Sequence, residues 1–226
     1  MSARDAAFKL TVDIVIFSVR DGSLRVLLVQ RRFPPFQGLW AIPGGFVMEA
    51  ESLEDAAIRE LREETGVDDV YLEQLYTFGD PGRDPRGRVV TVAYFALISM
   101  ERDILAGTDA AAARWFALDD LPNLAFDHGS IVDYALSRLR NKLEYTTVGF
   151  QLLSPEFTLG ELQSVYEAIL GRGLDKRNFR RKMEILKILT PLDRLKRQGV
   201  SRPAMLYQFS PGKFEKLKDK GIIFPF

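Results

Sequence analysis

The sequence predicts an α/β fold in two domains: a sheet with helices over residues 1–147, then a small winged helix-turn-helix over residues 148–226. Three observations lead there. In the first part, apolar β-branched runs alternate with helical stretches. The second part reads helix, short turn, helix and basic hairpin, the outline of a winged helix. Between them the charge changes sign. Residues 1–170 hold 16 Lys+Arg against 26 Asp+Glu, and residues 171–226 hold 15 against 5, so a net charge of zero conceals two ends of opposite sign.

Composition narrows the chemistry. With 226 residues, 46% of them hydrophobic, there is enough chain for one ordinary domain and a small one. No cysteine is present, which removes disulfides, thiolate metal sites and cysteine nucleophiles. No apolar run approaches a membrane span, and the first ten residues carry Arg4 and Asp5 instead of an apolar signal core. A cytoplasmic location, away from membranes, is the expectation.

Residues 8–19 and 24–29 form apolar strand-like runs around the turn signal Asp21-Gly22. An irregular stretch, 33–38, contains two prolines and leads through Trp40 and Ile42 to Pro43-Gly44-Gly45. A helix is predicted over 52–65, with Ser52 as cap, Asp55 three residues on and Gly66 as terminator. Strands follow over 70–78, 89–99 and 114–118, and a helix over about 130–142 closes the first part. Beyond residue 151, Thr158 and Glu161 make a capping box ahead of Leu162, Val165, Tyr166 and Ile169 on one helical face. After Gly171-Arg172-Gly173, Asp175 opens a second helix with Phe179, Met183 and Leu186 as its apolar stripe. Strands over 188–192 and 205–209 flank a basic loop, 194–202.

The 52–65 helix carries the chemistry of the first domain. Glu60, Glu63 and Glu64 lie at i, i+3 and i+4, so their carboxylates share a face where like charges repel. A hard cation, Mg²⁺ or Mn²⁺, relieves that repulsion and wants oxygen ligands. Arg59, one turn from Glu63, can orient a carboxylate from behind. Alone, the cluster equally fits a solvated acidic helix. The preceding turn decides between them.

Gly45, Glu51, Arg59, Glu60, Leu61, Glu63, Glu64, Gly66 and Val67 satisfy, without a gap, the pattern Gly-x5-Glu-x7-Arg-Glu-aliphatic-x-Glu-Glu-x-Gly-aliphatic. In this the chain resembles the Nudix hydrolase family. The resemblance implies an α/β/α sandwich with a mixed sheet and a loop–helix–loop metal site. It implies Glu60, Glu63 and Glu64 as metal ligands or base, with Arg59 beside them and the Gly44 carbonyl as a further ligand. Which glutamate is the base differs within the family and stays shared here.

The loop at 79–88 brings Arg83, Arg86 and Arg88 into a Pro/Gly-stiffened segment able to grip diphosphate or ribose oxygens; a solvated loop balanced by its own aspartates is the other reading. Arg31, Phe36 and Trp40 precede the box and can add charge and a stacking ring. Together with Leu124-Ala125-Phe126-Asp127-His128, these segments resemble the Nudix branch acting on ADP-ribose and related nucleotide sugars. His128, the only histidine, is placed at a helix start beside Asp127 and not in catalysis.

In the second domain, Lys176, Arg177, Arg180 and Arg181, with Asn178 among them, form cationic rows outside the apolar stripe, as a helix in a DNA major groove requires. Lys196, Arg197 and Arg202 would lie on the wing. A Nudix domain followed by a winged helix resembles the Nudix-related regulators of NAD metabolism and sugar use. That implies a homodimer on a double-stranded DNA operator. The expectation is a ligand-responsive regulator that hydrolyses ADP-ribose or a related nucleoside diphosphate sugar with Mg²⁺. Two alternatives stand: a dedicated pyrophosphatase with an accessory or dimerising second domain, and a non-catalytic sugar-sensing repressor. The effector and operator stay open.

Overall fold

The computed structural model describes residues 8–67, 70–99, 110–197 and 203–218. The chain alternates as expected: β1 (Lys9–Arg20), β2 (Ser23–Arg31), β3 (Trp40–Ala41), β4 (Gly44–Phe46), α1 (Leu53–Thr65), β5 (Tyr71–Phe78), β6 (Val89–Leu97), β7 (Ala110–Ala117) and α2 (His128–Leu143). Asp21 and Gly22 both take positive φ, the conformation that turns a two-residue hairpin.

These strands form one mixed sheet in the order β3-β2-β1-β6-β5, with β4 on β1 and β7 on β2. β1 and β6 run parallel from Lys9 opposite Val89 to Phe17 opposite Leu97, and β5 pairs antiparallel with β6. Both central strands are apolar almost throughout because both faces of the sheet are covered. Val12, Ile14 and Ile16 point to one face, where Ala56, Ala57 and Leu61 of α1 meet them. On the opposite face Tyr134 of α2 stacks on Tyr76 at 5.1 Å and meets Phe78 edge-on at 5.9 Å. The bulge between Gln74 and Tyr76 makes this possible. It shifts the alternation by one residue, so that Leu72 faces α1 while Tyr76 and Phe78 face α2. The α/β/α layering is therefore present.

Two compact units emerge. Among the described residues, the first contains the chain up to Ser18, Arg25–Ile98, and β7 through the start of α2 to Leu136; the second contains Val19–Leu24 and the chain from Ser137. α2 thus contributes to both. The second unit holds α3 (Leu159–Leu170), α4 (Lys176–Leu186) and an antiparallel sheet, β8 (Phe157–Thr158), β9 (Leu189–Lys196) and β10 (Ala204–Phe209), in the order β8-β10-β9. The capping box forms in full: the Glu161 amide donates to Thr158 Oγ1 at 3.2 Å, and the Thr158 amide to Glu161 Oε2 at 2.7 Å. Asp175 caps α4 through the Asn178 amide at 2.7 Å. Phe179, Met183 and Leu186 are buried, with Phe179 edge-on to Tyr166. This is the winged helix expected.

Two differences stand out. β9 runs to Lys196, so Arg194 and Lys196 sit on a strand and not in the loop. A fifth helix, α5 (Pro211–Lys218), was not expected; Pro211 at its first position is a start signal. Among the described residues no helix is long and apolar enough to cross a membrane. Because Leu61 locks α1 onto the sheet at 3% exposure, Leu61→Ala is expected to cost about 2–5 kcal/mol in chemical denaturation followed by circular dichroism. An unchanged midpoint would remove that contact from the core.

Candidate functional site

α1 begins and ends where its caps place it. The Asp55 amide donates to Ser52 Oγ at 3.1 Å, and Gly66, at φ 68°, returns its amide to the Arg62 carbonyl at 2.8 Å. This fixes the rotation of the helix and therefore the face bearing Arg59, Glu60 and Glu63.

Arg59 is the hub. Its Nε and Nη2 hold both oxygens of Glu51 at 2.9 and 2.7 Å, and Nη2 also donates to the Phe46 carbonyl at 3.1 Å. Its Nη1 meets Glu60 at 2.6 Å and Glu63 at 3.3 Å. The hydrogen bonds from Arg59, joined by one from the Met48 amide, pull the Glu51 carboxyl down to about 2. Glu60 is the reverse case: burial pushes it above the usual carboxylate range despite the nearby arginine. Glu63 remains half exposed and Glu64 is partly buried.

Gly45 is small because Glu60 needs its space. A Cβ there would lie 2.1 Å from Glu60 Oε1, and one on Gly44 would lie 2.3 Å from the Val12 carbonyl oxygen. The tight Gly44-Gly45 strand therefore presses against the carboxylate helix. Among the described residues, no three acidic or histidine side chains converge closely enough to cage a cation. Glu60 and Glu63 do converge on one nitrogen of Arg59. Mg²⁺ commonly takes one or two carboxylates and completes its shell with water and substrate phosphate. These hard oxygen donors, with the backbone carbonyls beside them, fit that mode.

Next to this turn opens a cleft of about 180 Å³ between β1, β4, the arginine loop and the start of α2. Arg31, Arg86, Gly44 and Phe126 line it. The arginine loop does not present three free guanidinium groups. Arg83 is turned inward: Nε and Nη2 clamp Asp127 at 2.9 and 2.7 Å, and Nη2 reaches Asp13 at 3.3 Å. Burial opposes its charge, but the two aspartates outweigh burial and raise its pKa. Arg83 thus braces the loop while its side chain still borders the cleft. Arg88 donates to the Gly79 carbonyl. Arg86 pairs with Asp84 at 2.7 Å and still borders the cleft.

Arg31 donates to the Pro35 carbonyl at 2.8 Å and lies over the Phe126 ring at 4.8 Å. Phe36 meets that ring edge-on at 4.9 Å. Trp40 packs instead against Phe116 at 4.8 Å and does not line the cleft. Asp13 was not singled out from the sequence for this site, and Phe126 and Asp127 were noted only as part of the 124–128 segment, without a role. Asp13 stands alone in an apolar strand, and that isolation is a usable signal. His128 starts α2, as expected. Fully buried, it accepts the Ile42 amide on Nδ1 at 3.1 Å, and burial lowers its pKa despite Asp13 and Asp127.

In the second unit, Lys176, Arg177, Asn178, Arg180 and Arg181 are exposed on α4, and Arg181 donates to Asn178 at 3.3 Å. Lys196 differs from expectation: it is tied to Glu161 at 2.8 Å and helps hold that carboxyl below its usual range against the effect of burial. Arg194 pairs with Glu156. Arg197 is exposed at the strand end, and Arg202 lies outside the described residues.

Residues 8–135 match the NUDIX domain model, and residues 149–209 match the NrtR DNA-binding winged helix domain. The chain is 43% identical over 205 residues to the ADPR responsive transcriptional repressor NtrR of Acinetobacter baylyi, covering 89% of this chain and 82% of that one. It is 43% identical over 122 residues to an ADP-ribose pyrophosphatase of Methanocaldococcus jannaschii, covering 54% and 72%. The crystal structure of Shewanella oneidensis NrtR complexed with a 27mer DNA superposes with a TM-score of 0.79 at 41% identity, covering 91% and 95%.

Two outcomes follow from the geometry. Gly45→Ala is expected to displace the Glu60 carboxylate and weaken Mn²⁺ binding, measured by water-proton relaxation, whereas Gly82→Ala, with nothing within 4 Å, leaves it unchanged. Neutral His128 contributes stability that is fully present above the ordinary histidine value near 6.5. That contribution is lost as pH falls below this value, because the unfolded chain then binds a proton that the folded chain resists. Thermal midpoints should fall between pH 7.5 and 5.5 more steeply than in His128→Asn.

Proposed function

This chain belongs to the Nudix family, and on that premise we propose that it is an ADP-ribose-responsive transcriptional repressor whose Nudix unit binds ADP-ribose and retains its hydrolysis. One observation carries the reading: a complete Nudix carboxylate helix and a winged helix with an exposed cationic recognition face occur in the same chain.

The ligand's two negative phosphates meet Arg31 and Arg86 at the cleft, beside the Gly44-Gly45 turn. Arg83 stays with Asp13 and Asp127 and keeps the loop and the start of α2 in place. Of Glu60, Glu63 and Glu64, those that face the diphosphate would hold Mg²⁺ or Mn²⁺, and one not engaged by the ion would take the proton from the attacking water. When bound there, such an ion would supply neutralisation of phosphate charge and a lowered pKa for water. Attack on one phosphorus breaks the bridging P–O bond and leaves AMP and ribose 5-phosphate. Arg59 orders Glu60 and Glu63 for this work without touching the ligand.

On DNA, Lys176, Arg177, Arg180 and Arg181 supply phosphate contacts, and Asn178 stands where base edges are read. Arg197 extends the contact from the wing. Lys196, paired with Glu161 in the free chain, braces the wing from the same strand. The intact carboxylates favour one further reading, a dedicated pyrophosphatase whose second unit is accessory.

Gel shifts with the duplex upstream of the chain's own gene, with and without ADP-ribose, decide between them. The expected result is tight, salt-sensitive binding altered by ADP-ribose. Losing Arg180 and Arg181 to Ala should lower the salt slope by about 2 and weaken binding at least tenfold. Salt-insensitive binding unaffected by these substitutions would favour the accessory reading. Mg²⁺-dependent release of AMP should fall by about 10²-fold in Glu63→Gln; an unchanged rate would remove Glu63 from the chemistry.

A further inference from the structure

Phe126 combines three properties that core packing does not require. Its backbone takes φ 54°, in the left-handed region that a non-glycine residue adopts only under strain. The neighbouring residues hold it there. The Ala125 amide donates to the Trp40 carbonyl at 2.8 Å, Asp127 is clamped twice by Arg83, and the next residue, His128, accepts the Ile42 amide. The chain is therefore pinned on both sides of a strained aromatic residue, which is what keeps such a conformation in place.

The second property is position. Phe126 lines the same cleft as Arg31, Arg86 and the Gly44-Gly45 turn, and its ring is only partly buried. The third is what lies against the ring. Arg31 stands 4.8 Å and Arg86 5.4 Å from its centroid, so two guanidinium groups lie against one ring, with the His128 ring tilted beside it at 5.2 Å. They oppose each other: burial, then the charge of Arg86, depresses the Arg31 pKa, with Asp84 and Asp13 acting the other way. Guanidinium groups stack on aromatic faces as flat ions, and a flat neutral heterocycle can take the same place. The diphosphate of a nucleotide offers these two arginines a better partner than the ring does.

We propose that Phe126 is the base platform of the cleft: the planar base of a nucleoside diphosphate ligand stacks on its ring while Arg31 and Arg86 turn to the diphosphate. This rests on the reading of the cleft as a nucleotide site and adds the residue that distinguishes a nucleotide from a bare diphosphate. Phe36 supports the ring from its edge, and Arg83 acts as a positioning residue through Asp127. Phe46, with Arg86 5.3 Å from its centroid, is the competing platform.

The test uses the full chain and its Phe126→Leu, Phe126→Trp and Phe46→Leu variants, titrated by calorimetry with ADP-ribose, ADP, UDP-glucose and inorganic pyrophosphate. Phe126→Leu should weaken nucleotide binding about tenfold or more with pyrophosphate affinity unchanged, and Phe126→Trp should restore nucleotide binding. The Trp variant should also show fluorescence quenching by ADP-ribose, beyond that of Trp40 and Trp115 in the parent chain, and none by pyrophosphate. Equal weakening of all ligands in Phe126→Leu would make the ring only a support for the arginines and overturn the proposal. So would selective loss in Phe46→Leu alone. If the parent chain binds ADP or UDP-glucose but not ADP-ribose, and Phe126→Leu loses that binding, the platform stands and the ADP-ribose reading fails. If the parent chain binds no nucleotide, both fail.

Discussion

The guanidinium group of Arg59 is the point at which the Nudix motif becomes a three-dimensional object. It reaches back from the middle of a helix to Glu51 and the Phe46 carbonyl, and across to Glu60 and Glu63, through one planar fork of donors. A lysine could not substitute, because its point charge cannot serve a bidentate carboxylate and two further partners together. Carboxylates that would repel one another are thereby kept close, and one of them is partly desolvated and displaced in pKa. The absence of side chains at Gly44 and Gly45 is part of the same constraint, since any Cβ there meets Glu60 or the Val12 backbone.

A second arginine does the equivalent work for the ligand cleft. Arg83 ties a loop to Asp13 on the central strand and to Asp127 at the head of α2, and it is almost wholly buried in doing so. The consequence is a division of labour among three closely spaced arginines. Arg83 supports from within the cleft wall, Arg88 braces the loop's own backbone, and Arg86 lies at the cleft with Asp84 as its carboxylate partner.

What could be read from the sequence was local. Helix caps at Ser52, Thr158 and Asp175 are decided by residues three positions apart, and all three form as expected. The carboxylate spacing on α1 and the Phe179, Met183, Leu186 stripe on α4 are likewise properties of one turn of helix. Long-range pairings stayed hidden. Nothing near Arg83 announces that its partners lie 70 residues before and 44 residues after it. Lys196 looked like a free wing cation because Glu161, 35 residues away, was already accounted for as a capping residue. Phe126 carried no signal of its left-handed backbone, which exists only because β3 and Arg83 hold its neighbours. The bulge at Gln74–Tyr76, which sends Tyr76 and Phe78 towards α2, is equally invisible to a period-two reading.

In an ADP-ribose-responsive repressor, nucleotide occupancy and DNA affinity are coupled within one chain, and linkage measures that coupling directly. DNA affinity of the intact chain is titrated at fixed salt across a range of ADP-ribose concentrations, and ADP-ribose affinity is titrated across a range of operator duplex. The account predicts that each ligand shifts the other's dissociation constant by the same factor, with a coupling of about 1–3 kcal/mol. Two affinities that stay constant whatever the concentration of the other ligand would contradict it.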